Sequence, residues 1–330
     1  MATLLGLAVL LVATLLVGAF LGSEPISLLD QFRAARTGGW EAVHPVFREV
    51  RFPRLILSAL VGGALALSGA VYQAVLRNPL AEPYLLGISS GASAGAILPG
   101  FLGIAAAYWA GPIFAFGGAI LALALLLGLT RLQGGLRTFN LILTGVILAS
   151  FFSAGILLAI SVSEALAAKG IILRIIGGLA APTWREVGIL AGSMTLAAAA
   201  IFPMARSLNL LTLGEEQAAS LGVRVDRTKL VALILSSLLT GVAVSICGPI
   251  GFVGLIVPHS VRILFGPDHR LLLPAATLAG GIFLVATDTV ARIVIAPGEI
   301  PVGVITALFG GPFFIGLLVR RKVRPELATS

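Results

Sequence analysis

The chain has 330 residues, of which 58% are hydrophobic and only 11% charged, with 22 basic against 14 acidic side chains and a net charge of +8. Soluble domains usually carry about a quarter charged residues, so this composition excludes a water-soluble fold. A single cysteine, Cys247, excludes an intrachain disulfide framework and a cysteine metal site, and basic residues set between apolar runs read as membrane orientation rather than nucleic-acid affinity.

Crossing about 30 Å of hydrocarbon takes roughly 20 apolar helical residues, because every backbone amide must be paired within the segment. Strong runs occur, in chain order, at residues 2–21, 55–76, 112–130, 141–161, 187–205, 230–247, 271–290 and 301–319. Two weaker ones lie among them: 85–107, interrupted by Pro99 and Gly100, and 251–265, broken by Pro258. Such breaks are tolerated only where protein or a watery cavity meets the freed backbone groups. The first run has no basic flank ahead of it and is read as a retained span rather than a cleaved leader. The expected fold class is an all-α polytopic membrane protein of about ten transmembrane helices, residues 1–330 forming a single domain.

An even number of spans puts both termini on one side. With the termini cytoplasmic, 13 of the 22 basic residues, Arg324 among them, fall inside, the group Arg320, Arg321 and Lys322 directly after the last span being a strong local anchor. Trp40, Trp109 and Trp184 then fall in or beside the outside loops, where interfacial aromatics gather. Gly87, Gly91 and Gly95 form a tandem G-x-x-x-G, and Gly248, Gly251 and Gly254 recur every third residue; small residues of this kind let helix backbones approach closely within a subunit, at a subunit interface or beside a transport path.

The chemistry inventory is short. A P-loop needs a lysine followed by Ser or Thr in a glycine-rich loop, and none of Lys169, Lys229 and Lys322 is so placed. His44, His259 and His269 lack zinc-ligand spacing, and no hydrolase motif occurs. An ion-coupled secondary transporter or a membrane-embedded enzyme would need ionisable residues deep in several spans. Asp288 is the one acidic candidate, and Arg292, four residues on, offers it an ion pair at the outer end of the same helix face. The longest inside loop, LNLLTLGEEQAASLGVRVDRTK (208–229), differs in kind: 215–221 suits a short amphipathic helix between Gly214 and Gly222, a docking element for a soluble partner or an interfacial loop helix.

Four stretches resemble the permease subunit of type II ABC importers for iron-siderophore, haem and cobalamin. They are RFPRLILSALVGGALALSGAVYQAVLRNPLAEPYLLGISSGA (51–92), LNLLTLGEEQAASLGV (208–223), GPIGFVGLIVPHSVRILFGPDHRLLLP (248–274) and GEIPVGVITALFGGPFFIGLLVRR (298–321). The resemblance implies the ten-helix type II importer permease fold in the inner membrane, a second copy of the chain around a central path, two ATP-binding cassette subunits on the cytoplasmic face and a periplasmic or surface substrate-binding protein outside. It implies no cofactor on this chain, ATP and Mg being used by the partner ATPase. By the same resemblance, residues 208–223 are the coupling-helix loop, with Gly214, Glu215, Glu216 and Gly222 transmitting ATP-driven closure. Arg51, Arg54 and Arg292 match arginines that meet glutamates of the binding protein, as exposed ion pairs. Thr138 and Phe139 match the cytoplasmic gate, Phe139 departing from the small polar residue of cobalamin permeases. Arg174 stands where relatives often carry an aromatic residue; it is either a cation at the path mouth, suited to an anionic chelate, or an arginine snorkelling to the interface. The expected cargo is an iron chelate, siderophore or haem, with cobalamin as the alternative.

Overall fold

The computed structural model describes residues 1–21, 27–104, 108–179, 182–295 and 298–322. Within them the chain is helical, with no strand: α1 (Ala2–Phe20), α2 (Leu28–Gly38), α3 (Phe52–Val75), α4 (Ile88–Phe101), α5 (Ala110–Leu132), α6 (Thr138–Val162), α7 (Ala165–Ile176), α8 (Trp184–Ile201), α9 (Ala205–Leu213), α10 (Glu215–Ser220), α11 (Val225–Cys247), α12 (Val253–Phe265), α13 (His269–Ile293) and α14 (Val302–Lys322). Among the described residues seven segments are long and apolar enough to cross a membrane, α12 and the Val302–Phe313 part of α14 are shorter apolar helices, and α4 adds a 14-residue helix with Pro99 inside it. About ten transmembrane helices is therefore the right description. The last three residues of the weak run 85–107, and Arg324, lie outside the described residues.

Helix α3 is the axis of the bundle, buried along nearly its whole length. Its sequence is built for this: Gly62, Ala66, Gly69, Ala70 and Ala74 keep its surface small, so α13 and α12 approach backbone to backbone. A Cβ on Gly62 would fall on the carbonyl of Gly280, and one on Gly69 would fall on that of Gly254. The glycines of the G-x-x-x-G run serve the same end, Gly91 and Gly95 seating α4 against Gly118 and Phe114 of α5. All of these contacts lie within one subunit, the first of the three uses the spacing allows.

The proline breaks are resolved by neighbours. Pro258 has no N–H to offer the carbonyl four residues back, which is Gly254. The buried Gln73 side chain of α3 replaces it, its Nε2 donating to Gly254 O at 3.2 Å and to Leu255 O at 3.3 Å. Helix α12 can thus be broken because protein, not lipid, faces the break.

Three helices escape the apolar-run reading. Helix α2 is amphipathic, capped by Ser27, whose side chain accepts from Asp30 N. Helix α7 is a short amphipathic piece after α6. Helix α9 continues α8 through the 3-10 turn Phe202–Met204. All are too short or too polar to span alone.

Candidate functional site

Two ends of the bundle carry the chain's charged chemistry. At one, α10 occupies the position the loop pattern demands. Gly214 and Gly222 flank it with φ of 133° and 86°, values a side chain would strain, so both glycines punctuate the helix as expected. Glu215 and Glu216 open it, where carboxylates complement the positive end of a helix. Their surroundings separate them. Glu216 is exposed, whereas Glu215 is bound into the chain: Lys229 Nζ of α11 donates to Glu215 Oε1 at 2.5 Å, and Arg77, just past α3, lies 3.8 Å from the same oxygen.

Lys229 is 1% exposed, and its ammonium also donates to the carbonyl of Leu136 at 2.9 Å. Leu136 precedes Thr138 and Phe139 by two and three residues. One buried cation therefore joins α10, the second turn of α11 and the short α5–α6 connection that leads into α6. At that start, the Thr138 hydroxyl is buried with no hydrogen-bond partner among the described residues, and Phe139 stands out at 73% exposure. A further tie, Asn209 Nδ2 to Asp268 Oδ1 at 2.7 Å, holds α9 to the start of α13. The Asp268 carboxyl lies below the usual aspartate range, first because the Arg270 N–H donates to it and then because Asn209 does.

The opposite end is built around Asp288, which is 0% exposed. Arg54 forks onto it, Nε and Nη2 donating to Oδ1 at 3.1 and 2.9 Å, and its Nη1 donates to Glu299 Oε2 at 2.8 Å. Arg292 pairs with Asp288 at 3.2 Å and donates to the carbonyls of Gly18 and Leu21 at the end of α1. Arg51 donates to Ala19 O of the same terminus. The ion pair expected between Asp288 and Arg292 is present but is half of a larger network. The expectation that Arg51, Arg54 and Arg292 form exposed ion pairs is corrected: they are 5–6% exposed and committed to groups of this chain. The reason is dielectric. A guanidinium among packed helix ends is tolerated only when paired, and Asp288, Glu299 and the free carbonyls of α1 supply the pairing.

The tryptophans gather at this end. Trp40 packs on Phe52 and Trp184, with ring centroids at 5.7 and 6.5 Å, and Trp109 lies 4.2 Å beneath the Arg185 guanidinium. Helix α8 starts here under a full capping box, Thr183 with Glu186, and Tyr108 donates to Glu186 at 2.9 Å. Arg174 of α7 is exposed, donates to Ala96 O of α4 at 3.2 Å and edges a cavity of about 260 Å³ with Gly100, Gly111 and Ser163. It joins neither charged cluster.

Residues 10–320 match the FecCD transport family. The chain belongs to that family. This FecCD permease is 39% identical to the cobalamin import system permease protein of Halobacterium salinarum, over 96% of this chain and 95% of that one. It is 37% identical to the hemin transport system permease protein of Yersinia pestis, again over 96% and 95%. Among solved structures, an inward-facing metal-chelate type ABC transporter superposes with a TM-score of 0.84 at 33% identity, covering 97% of this chain and 98% of that one. Like those relatives, the FecCD permease is a transport protein of the ABC kind rather than an enzyme.

Sequence reasoning missed two residues of these sites, and an acidic one outside them. Lys229 entered only among the lysines that form no P-loop and within the count of basic residues assigned to the inside, and Arg77 only within that count. Glu82, in the α3–α4 connection, is a further half-buried acidic group that joins neither charged end: its Oε2 accepts from Phe252 N just before α12, at 3.2 Å. The signal available for Lys229 was its position one helical turn inside α11, where a lysine facing lipid would be costly.

Proposed function

We propose that this chain is the transmembrane subunit of an ATP-driven importer of metal chelates in the inner, cytoplasmic membrane. Residues 1–330 act as one permease domain, with both termini and the 208–223 loop on the cytoplasmic side. A second copy completes the path, two ATP-binding cassette subunits dock beneath α10 and consume ATP and Mg, and a substrate-binding protein delivers cargo outside. The observation that carries this reading is the Lys229 junction, because a short helix presented to a partner is tied through one buried ammonium to the segment entering α6. Displacing α10 must then pull on Leu136 and, two residues on, on Thr138 and Phe139, the proposed gate. Glu216 faces the partner, Glu215 holds the link, and Gly214 and Gly222 let α10 tilt as a unit. Their burial gives Arg51, Arg54 and Arg292 the task of shaping the rim on which the binding protein sits.

For cargo, an iron-siderophore or haem is favoured by Arg174, an exposed cation in a small cavity beside α4, which suits carboxylates or propionates. Cobalamin is the second reading, supported by the 39% identical cobalamin import permease. The test is reconstitution of the chain with its ATPase in liposomes, followed by uptake of ferric siderophore, haemin and cobalamin. ATP-dependent uptake of one chelate is expected. Uptake by the permease alone on an ion gradient would overturn the proposal in favour of a secondary transporter.

A further inference from the structure

A groove of about 650 Å³ lies between the α8–α9 corner and the first turns of α11. Three arginines line it: Arg206 at the start of α9, Arg224 at the N-cap of α11 and Arg227 one turn further on. All three are exposed, and among the described residues none of their side chains makes an ion pair or hydrogen bond. The hydroxyls of Ser207 and Thr228, in the same wall, likewise have no protein partner among the described residues. The placement of Arg224 and Arg227 opposes the field of α11, whose N-terminus is already positive, so the site favours a bound anion.

Along α11 the wall changes character. Arg224, Arg227 and Thr228 are followed on the same face by Val231 and Leu235, about 12 Å from Arg227 to Leu235 at the helical rise. Ala200 and Met204 repeat this apolar stretch on α8 and the turn after it, and Leu196, one turn further up α8, continues it as an exposed apolar side chain. A charged pocket at the mouth of an apolar cleft, at the end of two spans, has the shape of one ligand class: a phosphate head with hydrocarbon behind it.

We propose that this groove holds an anionic phospholipid, its phosphate between Arg206, Arg224 and Arg227 and an acyl chain along Met204, Val231 and Leu235. The proposal rests on neither the cargo nor the coupling reading. Since the groove also includes Leu221, Gly222 and Val223, the bound lipid would buttress the C-terminal side of α10.

The test is titration of the full-length chain in detergent with phosphatidylglycerol, read by native mass spectrometry. One lipid should bind tightly, and phosphatidylcholine should bind much more weakly. The triple variant R206Q/R224Q/R227Q should bind phosphatidylglycerol about a hundredfold more weakly, at about fivefold per arginine. The lysine triple variant should recover most of the affinity, and M204S/V231S should lose part of it. R131Q/R137Q, at the same end of the bundle, should bind as the parent does. Equal affinity for phosphatidylcholine, an equal loss in R131Q/R137Q, or displacement of the lipid by equimolar inorganic phosphate would each overturn the proposal. So would a triple variant that keeps its phosphatidylglycerol but no longer copurifies with the ATPase, since the arginines would then belong to that interface.

Discussion

The two charged ends use the same side-chain chemistry to opposite effect. Around Asp288, two guanidiniums, two carboxylates and the last carbonyls of α1 close a network in which the central carboxylate is wholly buried and the members sit on or beside α1, α3, α13 and the approach to α14. Around Glu215, one buried ammonium joins a six-residue helix to a loop carbonyl, while the carboxylate stays partly exposed. The first arrangement locks long helices together. The second ties a six-residue helix and a loop to α11 through two hydrogen bonds of one ammonium, and the lesson is that what a buried charge holds in place depends on what it is attached to.

The largest expected effect tests the locked end. Asp288→Asn leaves Arg54 and Arg292 without their shared anion and should destabilise the protein by about 3–5 kcal/mol, read as a lower unfolding midpoint in detergent. An unchanged midpoint would remove the distinction between the two ends. Gly69→Val, which drives a side chain into the Gly254 carbonyl and disturbs the Gln73 bonds, should cost about 1–3 kcal/mol by the same measurement.

Lys229→Gln tests the Glu215 end and its proposed coupling role. Uptake with the ATPase present should fall about tenfold while the ATPase still copurifies, because the link and not the docking face is lost. Loss of copurification instead would make Lys229 part of the dock. Glu216→Arg should show the reverse pattern, weakened copurification with the unfolding midpoint nearly unchanged. Glu299→Gln sharpens the comparison from the locked side: at 41% exposure this carboxylate is screened, and the midpoint should move by no more than about 1 kcal/mol, far less than for Asp288.

The smallest effect is one of pH. Asp268 titrates below its ordinary value of 3.8, so the stability it adds by holding Asn209 is complete above that value and fades as pH falls through the lowered folded one. Asp268→Asn should flatten a shallow acid slope by lowering the unfolding midpoint slightly at neutral pH, where the ionised carboxylate's contribution is complete, and leaving it unchanged below the lowered value.

The spans could be read from the sequence because hydrocarbon imposes one rule on every segment, full internal pairing of the backbone, and long apolar runs advertise it. Helices α5, α6 and α13 therefore begin and end within three residues of the expected runs. Helix α10 was legible for a different local reason, its two flanking glycines. Arg51, Arg54 and Arg292 were found as a set, yet their exposure was misjudged, since the arginine type signals charge and says nothing about whether a partner is at hand. Lys229 was overlooked because its two partners lie 14 and 93 residues away.

By itself, the sequence determined that this is a membrane-embedded helical permease, where its spans run and which loop protrudes, because lipid and helix punctuation act on neighbouring residues. Tertiary structure alone decided that Asp288 serves two arginines, that Gln73 repairs the break made by Pro258, and that Lys229 reaches from α10 to the threshold of α6. Those outcomes depend on which helix ends meet. That is settled by the close packing of small residues along α3, which no local pattern encodes.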